Sequence, residues 1–366
     1  MPMRSYLSPL LRTAISLMRF NIAFYVHHHG SGHVMRSLAI AAHLDHGEVT
    51  FLGSDLERYQ SIIPERVRCI HLPMDTRDAD DHYYAQRDVA GLHYAPLNVA
   101  GQAARVAILS KYFSENRPLL LVVDVSVEVA MLATLCGVPT VIVRQHGTRN
   151  DLPHVLAYQN AIGLLAPYGY NLQQEEEDWL SKKTYFSGGF SRFNAQVDVT
   201  DRNSRQVGVL VGNGGTSIDE RFLTTLLSQC AGWHFHVVGE IEGIDHSTSN
   251  VTVYGHVANP LAILSQCGIV IGNAGHNTVM EMASLNKRMI VIPESRPFDE
   301  QVIKAQVLGK LHFAKVILPE LLFTTDWAKE LNQMMLTTAN WGATISETAA
   351  NDAAGYLKQA FSQQYQ

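Results

Sequence analysis

Short apolar runs rich in Val, Ile and Leu alternate along the chain with longer stretches of helical period, as in parallel sheets covered on both faces by helices. In the first half the runs predict strands near Asn21–His27, Val49–Gly53, Val67–Leu72, Leu119–Asp124, Thr140–Arg144 and Ile162–Ala166. The cycle then restarts, with runs near Gln206–Val211, His234–Val238, Val251–Tyr254, Ile269–Ile271 and Met289–Ile292. Each half opens with the same device, a strand entering a glycine-rich turn and then a helix: AFYVHHHGSGHVMRSLAIAAHL and VGVLVGNGGTSIDERFLTTLL. The pattern predicts an α/β chain of two Rossmann-like domains with parallel sheets and a cleft between them. A polar, glycine-containing stretch at 188–205 sustains neither period, so the domains are expected at 1–190 and 191–366.

Composition narrows the function classes. Hydrophobic residues make up 46% and charged residues 17% of the 366 positions, which suits a globular enzyme and argues against disorder. No apolar run approaches the about 18 residues of a spanning helix. The formal charge is -6 and the 28 Lys and Arg residues are scattered, so nucleic acid is not expected as a partner. Cys69, Cys136, Cys230 and Cys267 stand far apart, without the close pairs of a zinc site or disulfide framework. They read as buried thiols in a reducing, cytoplasmic compartment. Before Asn21, Arg4, Arg12 and Arg19 accompany Leu7, Leu11, Ile15 and Met18 at helical spacing. Two readings stay open there: a basic amphipathic helix in peripheral contact with a membrane, or a loose extension preceding Met18.

Four segments carry candidate chemistry. Gly30-Ser31-Gly32-His33 lies at a strand-to-helix turn, where glycines permit close ligand approach and helix N–H groups face an oxygen or anion. Met35 stands where a dinucleotide fingerprint wants Gly or Ala, which disfavours a nicotinamide dehydrogenase. His33 is an available acid or base near neutral pH, or alternatively a packed helix-start residue. Asp124 ends an apolar strand, where a carboxylate either orients His33 or caps the next helix. Gly214, Gly215 and Thr216, following Gly212-Asn213, form a cradle for a diphosphate or a plain tight turn, without the Gly-Lys-Ser/Thr ending of a triphosphatase. The strongest segment is GNAGHNTVMEMASLNKRMIVIPESRPFDEQ, from Gly272 to Gln301. A buried strand reaching Gly275 and a helix starting at His276–Thr278 present N–H groups to a phosphate. Glu281, within the first turns, is placed to accept paired ribose hydroxyls, and Asp299 and Gln301 offer groups for sugar hydroxyls.

Gly275, Asn277, Thr278, Glu281, Pro293, Asp299 and Gln301 follow the order of the donor signature in GT-B glycosyltransferases of family 28 and the related family 1. The chain resembles those families from about Asn21 to Leu308; they include enzymes that add N-acetylglucosamine to the peptidoglycan lipid precursor. The resemblance implies inverting transfer from a nucleotide-diphosphate sugar, with a UDP-sugar expected as donor, to a hydroxyl acceptor that the chain does not identify. It implies His33 as base, Asp124 as the partner that base has in some members, Gly32 beside the donor, Gly214 and Gly215 as a phosphate loop, and Glu281 as ribose ligand. It implies no cofactor and no metal. By the same analogy, Glu347–Phe361 crosses back onto the first domain. In the plant enzymes of these families, which glycosylate small molecules, a phosphate-binding histidine stands two residues before the matching Gly, where this chain has Asn273; that shifts the task to backbone N–H groups and Thr278, as in family 28. The segment Gly30–Arg36 is also similar to the start of a nucleotide-sugar hydrolase, so hydrolysis stays open beside transfer. An epimerase and a catalytically silent binding module are further alternatives.

Other residues are weaker candidates. Arg36, His146 and Arg149 lie near predicted element ends and are expected to touch the acceptor or balance diphosphate charge. His27, His28 and His29 alternate faces, which does not make a metal site. Asp78-Ala79-Asp80-Asp81 reads as a solvated loop.

Overall fold

Runs of four to six apolar residues cannot leave backbone groups unpaired in a core, so they pair with one another. In the computed structural model, which describes residues 19–28, 30–194, 204–212, 214–243 and 249–365, all the predicted runs join parallel sheets. The first sheet contains β1 (Asn21–Val26), β2 (Glu48–Gly53), β3 (Val67–His71), β4 (Leu120–Asp124), β5 (Thr140–Val143), β6 (Gly163–Ala166) and β7 (Thr184–Phe186), in the order β3-β2-β1-β4-β5-β6-β7. The second contains β8 (Gln206–Leu210), β9 (His234–Val238), β10 (Val251–Val253), β11 (Ile269–Gly272), β12 (Arg288–Val291) and β13 (Ala314–Val316), in the order β10-β9-β8-β11-β12-β13. Strand order reverses between β1 and β4 and again between β8 and β11, the places where such sheets open a crevice at their carboxyl ends. The three-residue strands β7 and β13 were not predicted, because TYF and AKV are too short and too mixed to show a period.

Helices cover both faces: α1 (Gly32–Ala41), α2 (Ala100–Glu115), α3 (Val127–Leu135), α4 (Leu152–Asn160) and α5 (Asp178–Lys183) in the first half. The second half supplies α6 (Glu220–Gln229), α7 (Leu261–Leu264), α8 (His276–Ser284), α9 (Glu300–Lys310), α10 (Trp327–Leu336) and α11 (Ala349–Tyr365). Local chemistry starts several of them. Ser126 caps α3, Asp151 α4, Asp219 α6 and Asp326 α10, each accepting a backbone N–H three residues on.

The final helix returns to the first domain. Ala349, Ala353, Ala354, Leu357 and Phe361 of α11 share one apolar cluster with Ile22 and Phe24 of β1 and with Phe20 just before it. The alanines let the backbones approach, and the Tyr365 hydroxyl donates to the carbonyl of Leu119 at 2.8 Å. The two halves also meet in a common cluster, where Ala166, Tyr168 and Leu172 pack with Met280 and Trp341.

The amphipathic stretch before Arg19, His29, Asn213 and positions 195–203 of the expected boundary lie outside the described residues. Among the described residues no helix is long and apolar enough to cross a membrane. Two expectations need correction. Asp78 and Asp80 are exposed, but Asp81 is buried and accepts the N–H groups of Asp78 at 2.8 Å and Ala100 at 3.0 Å, so it fixes its loop to the start of α2. All four cysteines are free, yet only Cys230 and Cys267 are buried, and Cys69 and Cys136 are half-exposed.

Candidate functional site

At the first sheet's reversal point, β1 and β4 are hydrogen-bonded neighbours, so the turn leaving β1 faces the residue that ends β4. Gly30 adopts a φ of +78°, a conformation open to glycine, and turns the chain from β1 into α1. His33 then stands in the first turn of α1 and Asp124 closes β4. The structure brings them together: His33 Nδ1 lies 3.0 Å from Asp124 Oδ2. The same Nδ1 lies 3.2 Å from Arg36 Nη2; in the tautomer that turns an Nδ1 proton to the carboxylate, Nε2 carries the free lone pair. Burial would raise the Asp124 carboxyl, but the Arg36 and His33 charges and hydrogen bonds override it and hold it well below the usual carboxylate range. Val125, a β-branched residue at φ +70°, comes immediately after; such backbone strain costs about 1 to 3 kcal/mol and clusters at functional sites.

Arg36 has a different place from the one expected. It is 5% exposed, and its Nη2 donates to Asp124 Oδ1 at 2.8 Å and Oδ2 at 2.6 Å. A guanidinium buried against a carboxylate is committed to that pair, not to an acceptor or phosphate. His146 is corrected likewise. It is 1% exposed, packs on Tyr168 and donates from Nε2 to the Leu172 carbonyl at 2.8 Å. Burial, with Lys304 nearby, pushes its pKa down to about 3, so it is a neutral core residue. Arg149 is also turned inward, donating to the His146 carbonyl and to Gln145 Oε1 and lying 3.0 Å from His154 Nε2.

Across the cleft, β11 ends in Gly272 and α8 begins at His276. Asn273 Oδ1 accepts the Gly275 N–H at 2.9 Å and shapes this turn. Asn277, on the first turn of α8, faces the first domain directly: a Cβ at Gly32 would lie 3.4 Å from its Nδ2. Thr278 is half-buried against Gly272 and Gly275. His33 and the start of α8 therefore oppose each other across one crevice. His276 is kept neutral, its pKa driven well down by burial and then by Lys304 and Arg36.

The remaining donor candidates are partly engaged within the protein. Glu281 forms an ion pair with Arg192 Nε at 2.8 Å, and burial nonetheless raises its carboxyl. Gln301 Oε1 accepts both the Ala274 N–H at 3.1 Å and the Glu294 N–H at 3.0 Å, tying the ends of β11 and β12 together. Gln301 is itself buried, 6% exposed. Thr216 is a strut: its hydroxyl donates to Glu294 Oε1 at 2.9 Å, an oxygen that also accepts Ser217 N–H at 2.7 Å. Gly214 and Gly215 are exposed, and Arg296 Nη2 reaches the Gly215 carbonyl at 2.5 Å. Asp299 is exposed and left-handed at φ +54°.

Sequence reasoning missed Glu294, Arg192 and Arg296. Glu294 comes directly after Pro293 inside the recognised segment and was open to discovery; Arg192 carries no local signal, since its partner is 89 positions away. One further group was missed. Among the described residues His93, Asp151 and His154 gather ligand atoms within 4.8 Å of one another, a spacing a metal ion would accept. These residues come from two loops and a helix start, so no motif spacing announces them.

Residues 188–359 match the model of the glycosyltransferase family 28 C-terminal domain. Among solved structures, the glycotransferase of kitacinnamycin superposes with a TM-score of 0.63, at 15% identity over 94% of this chain and 95% of that one. MurG of Acinetobacter baumannii gives 0.57 at 15% identity, over 93% of this chain and 95% of that one. LpCGTa, solved in complex with UDP, gives 0.59 at 16% identity, over 93% and 94%. Among curated proteins none matches the chain in sequence at a significant level. At these identities the structural likeness establishes the architecture, two Rossmann-like domains in the GT-B arrangement.

Proposed function

We propose that this chain, a glycosyltransferase of GT-B architecture with a family 28 C-terminal domain, transfers a sugar from a nucleotide-diphosphate sugar to an acceptor hydroxyl, with inversion and without a metal ion. UDP is the nucleotide we expect, and the cytoplasm, where such donors are made and thiols stay reduced, is the compartment. The observation that carries the reading is the His33–Asp124 contact of 3.0 Å facing the amino end of α8. Asp124 holds the Nδ1 proton, so Nε2 takes the proton of an acceptor hydroxyl as its oxygen bonds to the anomeric carbon. The bond from that carbon to the diphosphate breaks with its electron pair, and the diphosphate carries the charge away. The α8 amino end, the N–H groups of Gly214 and Gly215, and the Arg296 guanidinium meet that charge. Arg296 suits this task because, among the described residues, its hydrogen bonds go to the carbonyls of Ser295 and Gly215 and to no carboxylate, so its positive charge is available there. Glu281 is assigned to the ribose and Asp299 with the Gln301 amide to the sugar.

The test has two steps. Thermal shift across UDP-glucose, UDP-galactose, UDP-N-acetylglucosamine and their dTDP and GDP counterparts identifies the donor, since a ligand of the native state raises its apparent stability. Product analysis with that donor, with and without a chelator, then separates the chemistries. A glycosylated acceptor formed equally in chelator supports transfer. Free sugar produced at one rate with every acceptor makes the protein a hydrolase, an altered sugar an epimerase. Loss of turnover in chelator with rescue by magnesium removes the metal-free mechanism.

A further inference from the structure

The loop that carries Asp299 does not end inside its own domain. Phe298 and Asp299 are consecutive non-glycine residues with left-handed backbones, at φ +61° and +54°. Two such residues in succession persist only where the surroundings hold them. For Phe298 those surroundings belong to the first domain, while the Asp299 N–H is held within the loop by the Arg296 carbonyl at 3.1 Å. The Phe298 ring lies 5.0 Å from the His93 ring, 4.6 Å and perpendicular to the His154 ring, and 4.9 Å from the Arg149 guanidinium. Its carbonyl accepts the Thr148 N–H at 2.7 Å, and Gly147, at φ +123°, leaves no room there: a Cβ would lie 2.6 Å from that same oxygen.

The cage is itself held together by directed bonds. Asp151 accepts His93 Nε2 at 2.7 Å on one oxygen and His154 Nδ1 at 2.6 Å on the other. Burial pushes the His154 imidazole down to about 4, so at neutral pH its Nε2 is an acceptor turned to Arg149 Nη1 at 3.0 Å. Both Asp151 oxygens and both His154 nitrogens are thereby used in forming the cage, and a cation entering the group would have to displace these bonds. An aromatic ring against a guanidinium, one perpendicular imidazole and one tilted imidazole fits that arrangement as it stands.

We infer that Phe298 is a positioning residue for donor-sugar recognition: seated in the first-domain cage of His93, His154 and Arg149, it sets the neighbouring Asp299 toward the sugar. Selection of the sugar then depends on the two domains being docked, and His93, in the loop that precedes α2, links that selection to the acceptor side. The inference rests on the assignment of Asp299 to the sugar.

The experiment compares UDP with the UDP-sugar giving the largest thermal shift, by calorimetry on the full chain. The readout is the affinity ratio between them, because UDP lacks the part Asp299 would touch. In F298A the affinity for UDP stays within about twofold, while the advantage of the sugar nucleotide falls by about tenfold, the order of one charge-assisted hydrogen bond. F298L, which keeps bulk without the aromatic face, recovers part of it. H154A, made in the other domain, gives the same loss, and F298A/H154A gives no more than either alone. Circular dichroism and the unfolding midpoint confirm that each variant is folded; if F298A is not, the H154A and F298L ratios decide. D299A is the control. Loss of the advantage in D299A but not in F298A or H154A overturns the inference alone, whereas an unchanged ratio in D299A overturns the sugar assignment and the inference with it. Additive losses in the double variant also overturn it.

Discussion

Asp124 serves two partners at once, and replacing it has two separable consequences. Asp124→Asn keeps the shape but leaves Arg36, 5% exposed, without a charge partner. Breaking a buried pair in this way costs about 3 to 5 kcal/mol, so urea denaturation should show a large loss for this variant. His33→Ala leaves the Arg36–Asp124 pair in place and removes one hydrogen bond to the carboxylate; it should cost about 0.5 to 1.5 kcal/mol, less than Asp124→Asn. Its turnover should fall by about 10²- to 10⁴-fold, the worth of a positioned general base, with donor affinity retained. If the two act as one catalytic unit, in a double-mutant cycle the kinetic effect of Asp124→Asn should shrink when His33 is absent. Additive kinetic losses would make Asp124 a purely structural partner of Arg36. A second residue-scale effect concerns pH. His146 has a folded pKa lowered to about 3, so the unfolded chain binds a proton first as pH falls through its ordinary value of about 6.5. Stability is complete above that value and declines below it, by about 2 kcal/mol at pH 5 for this residue alone. His146→Gln should flatten the fall in unfolding free energy between pH 7 and pH 5. An equally steep fall would assign the acid sensitivity elsewhere, with His154, lowered to about 4, the next candidate.

At the scale of elements, the loop from Pro293 to Gln301 joins three functions: it braces the glycine loop through Glu294, docks the domains through Phe298, and closes the β11 turn through Gln301. The last of these was hidden from sequence reasoning. A glutamine after an aspartate in this segment reads as a sugar ligand, and nothing local reveals that its oxygen is already shared by the N–H groups of Ala274 and Glu294. Gln301→Leu leaves both donors buried without a partner, at about 1 to 3 kcal/mol each. Gln301→Glu keeps the accepting oxygen and should retain most of the stability while altering sugar affinity, since it loses the NH₂. Equal unfolding midpoints for the leucine variant and the unaltered chain would disprove the bracing role.

At the scale of the whole molecule, α11 belongs to the first domain's core although it closes the described chain. Leu357 is 0% and Phe361 3% exposed, and burying each such side chain contributes about 1.5 to 3 kcal/mol. Together with the alanines of α11 in the same cluster this is comparable to the about 5 to 15 kcal/mol by which domains are stable. Deletion from Ala349 onward should therefore yield an aggregating chain on size exclusion, with loss of first-domain signals. A monodisperse, folded truncation would show that α11 only decorates the sheet.

The division between sequence and structure reflects the range of the interactions. Period, glycine placement and strand length are local, so eleven of the thirteen strands, the tandem α/β plan, the turn at Gly30 and the helix start at His276 were legible in the chain. The sites of His33 and Asp124 at one sheet's mouth were legible too, because parallel topology forces carboxyl ends together. What only the tertiary structure decided is which charge meets which. Arg36 finds Asp124 across 88 positions and Arg192 finds Glu281 across 89, while His146 is sealed in and Phe298 crosses to a cage in the other domain. Pairings at that separation depend on how two sheets and their loops are oriented in space, and residue spacing along one chain carries no such orientation.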